Sequence, residues 1–214
     1  MSGTGAARTF RLSDAELMGV GAHGVTRSYP KNTIIVSEGD ATDSLYVIVA
    51  GRIKVFVSDD AGHEVTLAVQ GPGEYFGEMV LDHGPRSASV MTLEPSRFLI
   101  VPKANFREFV AKNPAFALSL VEKLIQVARS LTERVKDLAL MDVYGRVARL
   151  LLELAEERDG RLVIAERLTQ QEMANRVGAS REMVSRILKD LSTGGYITQS
   201  RDAIVLHRKP PLRW

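Results

Sequence analysis

Two clusters of side chains in this 214-residue chain combine types and spacings that could do chemistry. The first is Gly73-Glu74-Tyr75-Phe76-Gly77-Glu78-Met79-Val80-Leu81, followed by Pro85-Arg86-Ser87-Ala88. A cyclic phosphodiester needs a guanidinium against its charge, a hydroxyl donor and free backbone N–H groups, and its ribose 2′-hydroxyl needs a carboxylate. Arg86 and Ser87 suit the phosphate, Glu78 suits the ribose, and Gly77 lets the backbone come close; Met79 completes this candidate ligand-binding set. The plainer alternative is an internal ion pair between Arg86 and Glu78 with no ligand. The second cluster is LTQQEMANRVGASREMVSRILKDLSTGGYI, Leu168 to Ile197. Ser180 sits where it can cap a helix, which places Arg181, Glu182, Ser185 and Arg186 on that helix's early exposed surface. An arginine there can grip guanine at O6 and N7, and a glutamate can accept from cytosine N4. Thr169 and Gln171, opening the preceding helix, are placed to contact phosphate.

The elements that must position these residues follow from the surrounding pattern. Ser13 is placed to cap a short helix from Leu12 to about Met18. From Tyr29 to Pro102 short β-rich runs alternate with Gly, Pro and Asp. Strands are expected at Thr33–Val36, Ser44–Val49, Arg52–Val57, Glu64–Val69, Ser87–Thr92 and Arg97–Val101, a spacing that suits a roll or sandwich. Asn113-Pro114 then reads as a cap and first helical position. Beyond it Val121, Ala128 and Val135 recur every seven residues, as do Leu124, Leu131 and Leu138, giving an a/d seam of about three heptads. The seam predicts a parallel homodimer through residues 121–138. Ile125 and Val127 widen the stripe, so the competing reading is a helix packed on its own domain.

Asp142 is expected to cap a second helix, Val143 to about Glu157, ending at Asp159-Gly160 before a strand at Arg161–Ile164. Short helices at Gln170–Arg176 and Arg181–Leu191 follow, with Ala174 small enough for them to cross and Gly178 free to take the positive φ of the turn. Val177, Met183, Val184, Ile187 and Leu188 supply their apolar face. Ile197–Gln199 and Ile204–Leu206, joined by a polar turn, make a hairpin and so a winged helix-turn-helix.

Composition limits the alternatives. Residues 161–214 carry ten Lys/Arg against five Asp/Glu, a charge of +5, while the first 160 carry 18 against 21, a charge of −3. A basic terminal third points towards a polyanion. With no cysteine there is no disulfide framework or thiolate metal site, and His23, His63, His83 and His207 lack metal-ligand spacing. No metal or covalent cofactor is expected. No P-loop, nucleophile elbow or paired catalytic acids appear, so an enzyme is not expected either. No apolar run approaches the roughly 18 residues that span a bilayer, and MSGTGAARTF lacks a signal-peptide core, so cytoplasmic residence without membrane contact is the simplest fit.

The stretches ASREMVSRILKDL and LALMDVYGRVARLLLELA closely resemble the DNA-binding domain of the cyclic AMP receptor protein (CRP/FNR) family of bacterial regulators, and the likeness extends over nearly the whole chain. The Gly73–Ala88 motif resembles the phosphate-binding cassette of cyclic-nucleotide domains, with Gly39-Asp40, Tyr46-Val47-Ile48 and Gly51 fitting that fold's earlier turns and strand. The resemblance implies an α+β chain with three parts. They are a cyclic-nucleotide-binding, jelly-roll-like β-roll over residues 1–112, a dimerisation helix and hinge over 113–140, and a winged helix-turn-helix over 141–214. It implies double-stranded DNA as partner, with pseudo-palindromic TGTGA-like half-sites read by Arg181, Glu182 and Arg186, and RNA polymerase as a further partner. It also implies allosteric control by a cyclic nucleotide, cyclic AMP by default. Ligand between roll and seam helix would extend that helix around Asp137–Asp142 and set the recognition helices about 34 Å apart.

Two departures from the family pattern bear on the ligand. The loop from Gly77 to Arg86 is a residue or two shorter than in the best-known cyclic AMP binders. Leu131 and Thr132 stand where cyclic AMP receptor proteins offer consecutive Thr and Ser to the adenine amino group. Leu131 cannot hydrogen-bond, and an unpaired purine amino group in a dry site costs about 1–3 kcal/mol. Cyclic GMP and cyclic di-GMP therefore stay open. So do a DNA-binding member that needs no ligand and a sensing module that serves protein–protein interaction without binding DNA.

Overall fold

The computed structural model describes residues 11–21, 24–158, 160–165, 168–200 and 203–212. Two compact units share the chain. One is built from residues up to Val57 and Thr66–Val127, the other from Ser58–Val65 and Ala128 onward.

The first unit is a roll of two four-stranded antiparallel sheets. β1 (Val25–Tyr29), β8 (Ser96–Pro102), β3 (Ser44–Ala50) and β6 (Tyr75–Phe76) lie in that order in one. β2 (Ile34–Val36), β7 (Ser89–Thr92), β4 (Ile53–Ser58) and β5 (Glu64–Gln70) form the other. Period-two alternation divides the core. Ile48 and Phe98 point to a cluster with Val36, Ile53, Phe76 and Val90. Their neighbours Leu45, Val47, Leu99 and Val101 point the other way, onto Phe106, Phe116 and Leu120. Those residues belong to helices α2 (Lys103–Lys112) and α3 (Pro114–Leu140), which together with α1 (Asp14–Gly21) cover that face.

Several sequence expectations hold. Ser13 caps α1, its Oγ accepting from the Glu16 N–H at 3.3 Å while Glu16 Oε2 accepts from the Ser13 N–H at 2.8 Å. Others are corrected. Strands β1 and β6, helix α2 and a 3-10 turn at Glu78–Leu81 were not expected, and the strand expected from Ser87 begins at Ser89. Pro114 does open α3, but Asn113 does not cap it: its side-chain amide donates to the Phe109 carbonyl at 2.8 Å and closes α2 instead.

The second unit packs α4 (Val143–Leu154), α5 (Gln170–Val177) and α6 (Arg181–Thr193) against a small sheet. That sheet runs β11 (Ile197–Gln199), β12 (Ile204–Leu206), β10 (Arg161–Ile164) and β9 (Glu156–Arg158). Val147, Leu151, Ile164, Ala174, Val184, Leu188, Leu191 and Ile197 are among its most buried members. Asp142 caps α4 as expected, accepting from the Gly145 N–H at 2.7 Å. The helix stops at Leu154, short of Glu157, because Glu156-Glu157-Arg158 offer no apolar side chain to its buried stripe. They pair instead with β10, and Gly160, at φ +73, serves the turn. Asp159, named at the expected helix end, and residues 201 and 202 of the wing turn lie outside the described residues.

One fully buried hydroxyl ties the roll together. Thr92 donates to the Pro30 carbonyl at 2.7 Å and accepts from the Thr33 N–H at 2.8 Å, holding the turn between β1 and β2 against β7. Thr92→Val keeps the shape, leaves the Thr33 N–H without its acceptor, and leaves the Pro30 carbonyl with only the Thr33 hydroxyl at 2.9 Å. The expected loss is about 1–3 kcal/mol, read as a lower urea midpoint of unfolding with unchanged slope.

Candidate functional site

Arg86 is the centre of the first cluster. It is buried, and its backbone is pinned on both sides: its N–H donates to the Asp40 carbonyl at 2.8 Å, and its carbonyl accepts from the Gly39 N–H at 2.9 Å. Its Nη2 donates to the Ser44 carbonyl at 2.8 Å and reaches Asp43 Oδ1 at 3.4 Å, and the guanidinium lies 5.7 Å from the Tyr46 ring centroid. Nε and Nη1 are buried with no hydrogen-bond partner among the described residues. Idle donors on a buried cation cost more than ordinary unmade bonds, and an anion is the group that satisfies them.

Gly77 makes this arrangement possible. It sits at φ +82, and a Cβ there would lie 2.6 Å from Arg86 Nη1 and 3.1 Å from the Ser44 carbonyl. The glycine thus leaves open backbone directly beside the idle N–H groups. The 3-10 turn Glu78–Leu81 follows, and α2 secures its far end through Arg107 to the Leu81 carbonyl and Lys103 to the Asp82 carbonyl, both at 2.8 Å. Ser87 is exposed, and its Oγ contacts the Met79 sulfur at 3.1 Å. Met79 is itself largely exposed. Gly77, Glu78, Met79, Arg86 and Ser87 are therefore brought together, and the residues present fit a phosphate-bearing ligand.

The alternative pairing of Arg86 with Glu78 is not what forms. Glu78 meets Lys123 of α3, a residue the sequence reading passed over, whose Nζ lies 3.3 Å from Glu78 Oε2 and donates to the Tyr75 carbonyl at 2.6 Å. The signal that could have found it is spacing: Phe116, Leu120 and Lys123 follow at four and three residues, the rhythm of one helix face. Burial lowers the Lys123 pKa, and the Glu78 carboxylate works against that shift.

Leu131 and Thr132 lie further along α3, in the second unit. Leu131 is exposed, and the Thr132 hydroxyl is already donated to the Ala128 carbonyl at 3.0 Å. The seam residues Val121, Leu124, Leu131, Val135 and Leu138 are exposed by 44–66%.

In the second unit the helix-turn-helix is built by its caps. Thr169 and Glu172 form a capping box at the start of α5, and α5 ends at Gly178 with φ +64. Ser180 caps α6 by accepting from the Met183 N–H at 3.2 Å. Ala174 is fully buried where the helices cross. Arg181, Glu182 and Arg186 are exposed on the first turns of α6 and Ser185 is half-buried, while Thr169, Gln170, Gln171 and Arg181 line one concavity. Gln171 donates to Asn175 Oδ1 at 2.8 Å. Met183 departs from expectation: it is exposed beside Arg181, Glu182 and Arg186 rather than part of the apolar face. Arg146 of α4 was also missed. Its Nε donates to the Val177 carbonyl at 2.8 Å and its Nη1 to the Met141 carbonyl at 2.9 Å, bracing the turn from behind.

Comparison with known proteins agrees with both halves. The family described as "Cyclic nucleotide-binding domain" matches residues 26–113, and "Crp-like helix-turn-helix domain" matches residues 145–213. A CRP-like cAMP-activated global transcriptional regulator of Mycobacterium tuberculosis is 33% identical over 183 residues, covering 83% of this chain and 82% of that one. The cAMP-activated global transcriptional regulator Vfr of Pseudomonas aeruginosa is 33% identical over 184 residues, covering 82% and 86%. Among solved structures, the c-di-GMP responsive global regulator CLP of Xanthomonas campestris superposes with a TM-score of 0.81 at 25% identity, covering 92% of this chain and all of that one. A cyclic-nucleotide-binding roll joined by one long helix to a Crp-like helix-turn-helix identifies the chain as a member of the CRP/FNR family of transcription regulators.

Proposed function

We propose that the chain is a ligand-gated DNA-binding regulator with a sensor over residues 1–112, a dimerisation helix over 113–140 and a DNA-binding domain over 141–214. Its effector is a cyclic nucleotide, cyclic AMP in the first instance, held by Arg86 and Ser87 at the phosphate and Glu78 at the ribose. Arg181, Glu182 and Arg186 read TGTGA-like half-sites, with Thr169, Gln171, Ser180 and Ser185 at their edges. The observation that carries the effector reading is the pair of idle, buried N–H groups on Arg86 beside Gly77. The cAMP-activated relatives favour cyclic AMP. Leu131, which cannot bond an adenine amino group, favours a second reading with cyclic di-GMP, the ligand named for the structural relative from Xanthomonas campestris.

Arg86→Leu removes the only buried guanidinium at the cassette, and an uncompensated phosphate charge does not enter a partly dry pocket cheaply. Calorimetry with cyclic AMP, cyclic GMP and cyclic di-GMP is expected to show binding by the wild type and none by the variant, with unchanged circular dichroism. Equal affinities would remove Arg86 from the site.

Arg181→Ala is expected to weaken binding to a TGTGA-type half-site by about 1–3 kcal/mol and to relax preference at one G·C pair. Equal losses on specific and random DNA, measured by fluorescence anisotropy, would reduce Arg181 to a phosphate contact.

Replacing both Leu124 and Leu131 by Lys sets like charges across the seam and is expected to yield a monomer in sedimentation. A dimer that persists unchanged would place the self-association elsewhere.

A further inference from the structure

Lys123 occupies a position where the apolar rhythm of α3 calls for a methionine or leucine. Phe116 and Leu120, on the same face, are buried. The Lys123 side chain is 6% exposed, so its ammonium is held in the roll at a cost that a neutral side chain would not carry. Its contacts are specific. Besides the Tyr75 carbonyl and Glu78 Oε2, the ammonium lies 3.6 Å from the centroid of the Tyr75 ring. One side chain thus grips the cassette on both sides of Phe76-Gly77, immediately before Arg86's idle donors.

The consequence falls on Glu78. Its side chain is only 16% exposed, and a carboxylate so placed turns towards water unless a cation holds it. A carboxylate has about four lone-pair sites, and Lys123 occupies Oε2 alone. Among the described residues Oε1 accepts no hydrogen bond. Resting on the reading of the cassette as a cyclic-nucleotide site, we propose that Lys123 is a positioning residue for ligand choice. It keeps Glu78 anchored by Oε2, so that Oε1 is presented to a ribose 2′-hydroxyl and the protein selects ribonucleotide over 2′-deoxyribonucleotide ligands. A ligand lacking that hydroxyl leaves a desolvated oxygen without a donor, and sites built around a substrate hydroxyl reject such analogues strongly.

The test compares affinities of the full chain for cyclic AMP and 2′-deoxy-cyclic AMP by calorimetry, with cyclic GMP and its 2′-deoxy counterpart in parallel so that base preference does not decide the result. The wild type is expected to favour the ribose form by about tenfold or more, the worth of one hydrogen bond to a charged group. Lys123→Met is expected to shrink that ratio to about threefold or less, through weaker binding of the ribose form. Lys123→Gln retains a donor for the Tyr75 carbonyl and guards against a Met variant that fails to fold; its ratio should also fall below that of the wild type. A purely structural role would weaken both ligands together and leave the ratio standing, or abolish both in each variant. Either result, or a wild type that does not discriminate, overturns the assignment of Lys123 and leaves the cassette reading intact. A wild type that binds none of the four nucleotides overturns the cassette reading, and the role of Lys123 with it.

Discussion

A helix of 27 residues with apolar side chains on two faces must find cover for both, and its own chain covers one. Phe116 and Leu120 of α3 are sunk against the roll, whereas Val121, Leu124, Leu131, Val135 and Leu138 stand in water at heptad spacing. Burying a side chain of this size is worth about 1.5–3 kcal/mol, so the exposed seam holds back a large sum until something covers it. The heptad spacing selects what fits: another helix with the same period, supplied most simply by a second copy. The folded chain is therefore built around a helix that the described residues cover on one face and leave exposed on the other.

The same helix brings charge into the roll. Arg86 and Lys123 are both buried, and the carboxylates paired with them are the half-buried Glu78 and the exposed Asp43. Two buried cations against one half-buried and one exposed carboxylate leave the Gly77–Arg86 region short of buried negative charge, and that imbalance favours entry of a negative group. Backbone geometry keeps the imbalance from relaxing. Arg86 is pinned by Gly39 and Asp40 on its main chain and by Ser44 on its guanidinium, so it cannot swing out to water without breaking bonds on several elements. The roll thus stores an electrostatic demand in a fixed place.

How much of this was legible in sequence depends on how local the signal is. The caps at Ser13, Asp142 and Ser180, the turn at Gly178 and the crossing at Ala174 involve neighbours within a few residues, and all were readable. The cassette was readable because Gly77, Glu78, Arg86 and Ser87 lie within eleven positions. What escaped were contacts set by tertiary packing. Lys123 meets Glu78 across 45 residues, and Arg146 meets Val177 across 31. Strand β6 is only two residues long and owes its form to pairing with β3, which no propensity reports. Met183 looked like core by hydropathy, yet its place on α6 turns it outward. Helix α2 has a weak apolar pattern around the single buried Phe106 and was lost between a strong strand and a strong helix.

The joint between α3 and α4 has a mechanical meaning. The chain leaves the helix only at Met141-Asp142, a link short enough to suggest a swivel. Yet Arg146 bonds the Met141 carbonyl on one side and the Val177 carbonyl on the other, and Arg149 pairs with Asp137 near the end of α3. Leu138 lies beside the turn at Gly178. Two arginines thus remove most of the torsional slack between the last turns of α3 and the base of α6. A small roll of the helix about its own axis should reach Arg181 and Arg186 as displacement rather than be absorbed as flexibility, so the C-terminal part of α3 and the helix-turn-helix would move as one lever.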